Sequence, residues 1–250
     1  MLDAIRAEAL KFTRHRATWG LVWIWPIGLI IIGVIAIIVG LVNGPDAAAG
    51  RGEATAAAWI ADATAFWKVP GQGLGRYVIG AFVAMVFAGE YGWNTWKLVV
   101  PHRSRASLIA AKLAMVFLLL FAALVLTAGI SLLFTWLEGA VRGRDIPAGV
   151  TAAALLDAHG RNALAGLAPF LFTLASISLA AVLTRSMVAA LVIGVVIAIV
   201  EKLFVQLGPF LAPYAPGLVW SLYHALPGYH LANLASWIMD GVAHRSPFPD

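Results

Sequence analysis

The feature that most constrains this chain is a long uncharged segment near its amino terminus, residues 17–45. An α-helix needs roughly 20 apolar residues to cross a hydrocarbon core of about 30 Å, so this segment is long enough for one crossing. It is also about twice as long as the apolar core of a signal peptide, which has roughly 7–15 residues. Because 62% of the 250 residues are hydrophobic and only 12% are charged, the chain is predicted to be a membrane protein.

Further apolar segments predict an all-α, polytopic membrane helical bundle that forms one transmembrane domain, residues 1–250. The predicted spans are residues 19–43, 72–92, 110–136, 162–184 and 187–207. The second span is short, because only residues 77–89 are uncharged and they cover roughly 20 Å. It can cross only if Arg76 extends its side chain to one membrane surface and Glu90 lies near the other.

The two ends of the chain are predicted to lie along the membrane. Residues 1–18 are interpreted as an amphipathic interfacial helix, because Leu2, Ile5, Ala9 and Phe12 fall close to one face. Residues 209–243 are interrupted by prolines, which break helices, and are predicted to form short re-entrant or interfacial helices. We expect a sixth span to follow this sequence and return the chain across the membrane. The alternative is a five-span protein.

The distribution of basic residues predicts the orientation. Lys and Arg are denser on the side that carries residues 1–18, the link between the second and third spans, and Arg185. The other side carries two segments interpreted as polar loops, residues 43–75 and 138–161. The positive-inside rule therefore favours a cytoplasmic amino terminus.

The link between the second and third spans holds the most distinctive motif in the chain. It reads Gly89-Glu90-Tyr91-Gly92-Trp93-Asn94-Thr95, followed by Trp96, Lys97 and Leu98 and then by Pro101, Arg103, Ser104 and Arg105. This motif resembles the permease subunits of the type-2 family of ATP-binding-cassette (ABC) exporters, where Gly-Glu-Tyr/Phe, two further residues and Gly-Thr precede a leucine-rich turn and basic residues. Asn94 stands where that family usually has glycine.

The resemblance implies a permease of the bacterial inner membrane that pairs with a second copy or a paralogue and with two ABC ATPase subunits. It implies that residues 93–106 form a coupling helix that docks on the ATPase. The implied coupling residues are Glu90, Tyr91, Trp93, Thr95, Trp96, Lys97, Arg103 and Arg105. ATP and Mg would be bound by the partner, because the chain has no G-x-x-x-x-G-K-[ST] loop. We therefore expect no cofactor, metal or catalytic residue in this chain.

The residues of the link also suit this role for physical reasons. Tyr91, Trp93 and Trp96 can bury a large area at an interface at little rotamer cost. Arg103 and Arg105 can contact acidic protein surfaces or lipid phosphates. The simpler alternative is an aromatic belt with positive-inside charges, which membrane proteins commonly have. The sequence contains no separate basic domain of the kind that would indicate nucleic-acid binding.

Two other classes of function are considered, an intramembrane enzyme such as a protease and a passive channel. The six histidines include no H-E-x-x-H spacing, and no G-x-S-x-G motif is present. No ring of like charges or repeated filter motif indicates a channel. Both alternatives therefore lack a motif.

A possible substrate path is predicted at Thr173, Ser176 and Glu201. The two hydroxyls belong to a stripe of small residues on the fourth span, whose other interpretation is close helix packing. Glu201 stands beside Lys202 at the end of an apolar segment, and an ionisable residue inside a membrane is a functional candidate by default. The structural alternative places this pair at the outer membrane interface.

Overall fold

A computed structural model describes residues 2–14, 16–43, 55–92 and 104–243, which are almost entirely helical. The helices are α1 (Leu2–Arg14), α2 (Arg16–Asn43), α3 (Ala56–Thr64), α4 (Gly73–Gly92), α5 (Arg105–Val141), α6 (Ala152–Thr184), α7 (Met187–Leu211), α8 (Pro216–Ala225) and α9 (Pro227–Asp240). A 3₁₀ segment, Ala65–Gly71, joins α3 to the region of α4. No strand occurs in the described ranges, so the predicted all-α class is confirmed.

Four of the described helices are long and apolar enough to cross a membrane. They are Thr18–Asn43, Arg105–Val141, Ala152–Thr184 and Met187–Leu211. A fifth crossing is present if Ala56–Gly71 and Gly73–Gly89, which meet at an angle of 52°, are counted as one broken span. The predicted short second span therefore counts as a crossing only if this bent helix pair is taken as one span. The fold is that of a multi-pass membrane protein.

Contacts divide the chain into two compact units, and one of the points of division lies inside α6. The first unit comprises Met1–Val69 and Ser104–Ala163, and the second comprises Pro70–Arg103 and Leu164–Asp250. In the first unit α1, α2 and α3 all pack against α5. In the second unit α4 packs against α7, and α8 packs against α7 and α9.

Hydroxyl side chains cap the amino-terminal ends of three of the long helices. The Ser104 hydroxyl accepts a hydrogen bond from the Ser107 amide at 3.3 Å, and the Thr151 hydroxyl accepts one from the Ala154 amide at 3.1 Å. The Ser186 hydroxyl likewise accepts from the Ala189 amide at 3.3 Å at the start of α7. Such caps satisfy amide groups that have no partner inside the helix. At Ser104 and Thr151, the observed helix starts differ from the starts predicted from the sequence.

The first departure is that the polar segment 138–161 is mostly helical instead of a loop. Helix α5 continues to Val141, and α6 begins at Ala152, ten residues before the predicted span. An ion pair between Asp157 and Arg161, one helical turn apart, supports this polar first part of α6. The polar connection is therefore confined to residues 142–151.

Three other helix boundaries also extend beyond those predicted from the sequence. Arg105, which the family resemblance assigns to the coupling helix, lies in the first turn of α5. The amino-terminal helix ends at Arg14 and α2 begins at Arg16, so the first span continues further back than residue 19. Pro209, expected to end the fifth span, lies inside the last turn of α7, where it removes only one backbone hydrogen bond.

Candidate functional site

Most of the predicted coupling residues lie outside the described part of the chain. This applies to Trp93, Thr95, Trp96, Lys97 and Arg103, and the side chain of Glu90 is not described either. Tyr91 is half-buried at the end of α4, and the Arg185 guanidinium lies 5.9 Å from its ring centroid. Arg105 is exposed at the start of α5. The structure therefore describes the two ends of the link.

A buried carboxylate connects the amino-terminal helix to α5 just beyond the link. Lys112 donates to Glu8 Oε2 at 2.7 Å, and Lys11 donates to Glu8 Oε1 at 2.7 Å. The Lys112 and Glu8 side chains are only 3% and 9% exposed. This pair joins α1 to the second turn of α5. No sequence pattern indicates it, because its members are 104 positions apart.

A second ion pair joins α4 to α7 in the other unit. Arg76 Nη1 donates to Glu201 Oε2 at 2.6 Å, and the two side chains are 13% and 10% exposed. The Arg76 guanidinium also lies 5.7 Å from the centroid of the Phe172 ring. Arg76 was expected to reach a membrane surface, but it is mostly buried because Glu201 supplies a partner. Lys202, which follows Glu201 in the chain, is exposed.

Two of the three predicted path residues line a cavity next to this ion pair. The cavity has a volume of about 150 Å³, and Arg76, Thr173, Ser176 and Ile177 contribute to its wall. The Thr173 hydroxyl donates to the Pro169 carbonyl at 2.8 Å, and the Ser176 hydroxyl donates to the Thr173 carbonyl at 3.3 Å. Their hydrogens are thus used within α6, so the guanidinium is the charged donor of the cavity wall.

Two histidines of the described ranges, His224 and His230, pack beside each other near the carboxyl-terminal helices, whereas His159 accepts a hydrogen bond from the Trp67 indole at 3.0 Å. A ring nitrogen of His230 lies 2.8 Å from the His224 carbonyl oxygen, and both rings pack against Tyr229. Burial, with a smaller effect from Tyr229, raises the pKa of the nearby Tyr223 above its usual value. No group of three His, Asp or Glu side chains placed to hold a metal ion is found within the described ranges.

These features together define a multi-pass helical membrane protein with charged pairs between its helices. The model of one protein family, described as ABC-2 family transporter protein, matches residues 4–201, and the chain belongs to this family. It is therefore a membrane component of ABC transport, a role that is not itself catalytic. The predicted family is confirmed. No match to the chain is found among the curated proteins or the solved structures.

Proposed function

We propose that this chain is the permease subunit of an ATP-driven exporter in the bacterial inner membrane, with its amino terminus in the cytoplasm. It works with a second copy or a paralogue, in contact with membrane lipid, and two ABC ATPase subunits bind and hydrolyse ATP with Mg. Membership of the ABC-2 family supports this proposal, because it places the chain on the membrane side of such a transporter.

The coupling element in this proposal is the segment from Glu90 to Arg105. Its aromatic residues, Trp93 and Trp96, supply the interface anchors, and its Arg residues contact acidic groups of the ATPase. Thr95 and Lys97 lie in the same short segment and would belong to the same interface. Within this segment, Tyr91 lies near the end of α4 and Arg105 lies at the start of α5.

The observation that supports coupling most directly is the buried Glu8–Lys112 pair. Helix α5 begins at Arg105, directly after the link, and Lys112 lies two turns further along it. A force applied to the link therefore acts on the end of a single helix of 37 residues. Because Glu8 holds α1 on that helix, α1 would move with it, and the amphipathic segment would follow the ATPase cycle.

The experiment replaces Trp93 and Trp96 by alanine in the full chain, reconstituted with its ATPase subunit in liposomes. We expect the ATPase to lose its stimulation by the permease and transport to fall at least about tenfold, while the variant still inserts and dimerises, because two anchors of the interface are removed. Trp136→Ala is the matched control, since Trp136 is half-exposed near the other end of α5.

Unchanged ATPase stimulation in the Trp93→Ala/Trp96→Ala variant would overturn the coupling role. Transport that continues without ATP would instead favour a passive channel, and product formation from a membrane substrate without an ATPase subunit would favour an enzyme. The proposal requires that neither occurs.

A further inference from the structure

We propose that the cavity between α4, α6 and α7 binds an amphiphile whose anionic oxygen head, a carboxylate or phosphate, is held by Arg76. This assigns a ligand class to the predicted substrate path. The idea that the bound amphiphile is the transported substrate rests on the proposed function. Binding of the amphiphile does not, because it requires only the cavity.

The first reason is the hydrogen-bonding capacity of Arg76. A guanidinium carries five N–H donors in a planar fork. In the described structure it donates to Glu201 Oε2 and faces the Phe172 ring, and these are its only partners among the described residues. Its side chain is only 13% exposed and borders the cavity. Donors in such a position usually have an acceptor, so the uncommitted edge of the guanidinium points to an oxygen ligand.

The second reason is that the cavity wall discriminates between kinds of head group. The hydroxyl hydrogens of Thr173 and Ser176 are bonded to backbone carbonyls of α6, so Arg76 is the charged donor that an entering group meets. Glu201 balances the Arg76 charge, and its Oε1 atom is buried without a partner among the described residues, but Glu201 does not contribute to the cavity wall. The N–H groups of Arg76 can donate short charge-assisted hydrogen bonds to a carboxylate or phosphate head, whereas an ammonium head offers them no acceptor. The wall therefore favours an anionic acceptor over a cation.

The third reason is the size and character of the cavity. Its volume of about 150 Å³ equals that of an engineered protein cavity known to hold benzene, so a head group and a few methylenes fit. Beyond Arg76, Tyr77 and the two hydroxyls, the wall is largely aliphatic, with Ile177, Leu191 and Val195. An ion surrounded by water would lose its hydration against these side chains, whereas an alkyl chain gains by burial.

Glu201 is a positioning residue in this site. Its carboxylate fixes one edge of the Arg76 fork and leaves the other edge for the ligand. The carboxylate is backed by the start of α9, since a Cβ built on Gly228 would lie 3.4 Å from Glu201 Cδ.

The test measures binding of radiolabelled decanoate to the purified full chain in phosphatidylcholine nanodiscs, with decylammonium as competitor. We expect saturable decanoate binding that decylammonium does not displace. Ser176→Leu fills the cavity and leaves the ion pair in place, so it should weaken binding at least about tenfold. Ser221→Leu, the same change at an exposed position on α8, should leave binding unchanged. Arg76→Gln combined with Glu201→Gln removes the charge without leaving either partner buried alone, and it should weaken binding at least as much.

Addition of phosphatidylglycerol to the nanodiscs distinguishes two sources of the ligand. Displacement of decanoate identifies the headgroup of a membrane lipid, and unchanged binding identifies a free amphiphile, and both outcomes support an anionic head. Equal affinity of the Ser176→Leu and Ser221→Leu variants, or equal competition by decylammonium, would overturn the inference. Decanoate binding without ATP-dependent transport would overturn the proposed function alone, whereas transport without decanoate binding would overturn this inference alone.

Discussion

The buried charges of the described chain are held in pairs, and each pair joins two helices. Glu8 with Lys112 joins α1 to α5, and Arg76 with Glu201 joins α4 to α7. A buried ion pair adds little net stability, but removal of one partner typically costs about 3–5 kcal/mol, because the remaining charge is left in a medium of low dielectric constant. These four side chains are therefore more sensitive to substitution than exposed charges.

The prediction for single residues concerns Glu8. Glu8→Gln removes the carboxylate that accepts from the buried Lys112 at 2.7 Å, so we expect the free energy of unfolding to fall by about 3 kcal/mol. Asp157→Asn is the control, because both members of its pair with Arg161 are exposed and such a pair contributes about 0–1 kcal/mol. The measurement is the thermal unfolding midpoint of the purified chain in one detergent. Equal shifts of the midpoint in the two variants would contradict the assigned burial of the pair.

Individual helices of the first unit are fixed by a close contact between α2 and α5. A Cβ built on Gly33 would lie 2.4 Å from the Phe134 ring, which is closer than two carbon atoms can approach. The glycine at this position therefore lets the Phe134 ring lie close to the α2 backbone, as small residues commonly do where membrane helices pack closely. In the second unit, a Cβ built on Gly80 would likewise lie 2.4 Å from Ile177 Cδ1. Only the flexible end of Ile177 would need to move there.

At the level of helix packing we predict that Gly33→Ala lowers the free energy of unfolding by about 1–3 kcal/mol, because the added methyl group must displace an aromatic ring. Gly28→Ala on the same helix is the matched control, since no atom lies within 4 Å of its added Cβ. Phe134→Ala should remove the difference between the two variants. The measurement is again the thermal midpoint. A Gly33→Ala variant as stable as Gly28→Ala would show that α2 and α5 do not approach this closely.

For the whole molecule, the untested prediction is its orientation across the membrane. The natural chain has no cysteine, so single cysteines report their own accessibility. If the amino terminus is cytoplasmic, Arg105→Cys should react with a membrane-impermeant maleimide only in inverted vesicles, and Asp145→Cys only in intact cells. Arg105 and Asp145 are both exposed and bound opposite ends of α5. Labelling of Arg105→Cys from outside the cell would place the link on the wrong side for an ATPase and overturn the exporter proposal.

The architecture was largely predictable, whereas the contacts between helices were not. The all-α membrane class and the ABC-2 family follow from long apolar segments and from the motif that begins at Gly89, and the family match extends over residues 4–201. Apolar segment length does not predict the polar first part of α6, because this part starts at the Thr151 cap and carries exposed charges such as Asp157 and Arg161. The link residues from Trp93 to Arg103 stay a prediction, since they lie outside the described ranges.

The amino-acid sequence by itself determined that this protein crosses a membrane several times and which family it belongs to. The crossings follow because an uncharged segment longer than a hydrocarbon core has one favourable environment, whatever its neighbours are, and the family follows from the motif that begins at Gly89. Only the tertiary structure decided that Arg76 meets Glu201, that Glu8 meets Lys112, and that Thr173 and Ser176 border a cavity beside Arg76. These contacts join residues far apart in the chain, and they depend on which helix faces lie against each other, a property that local periodicity does not encode.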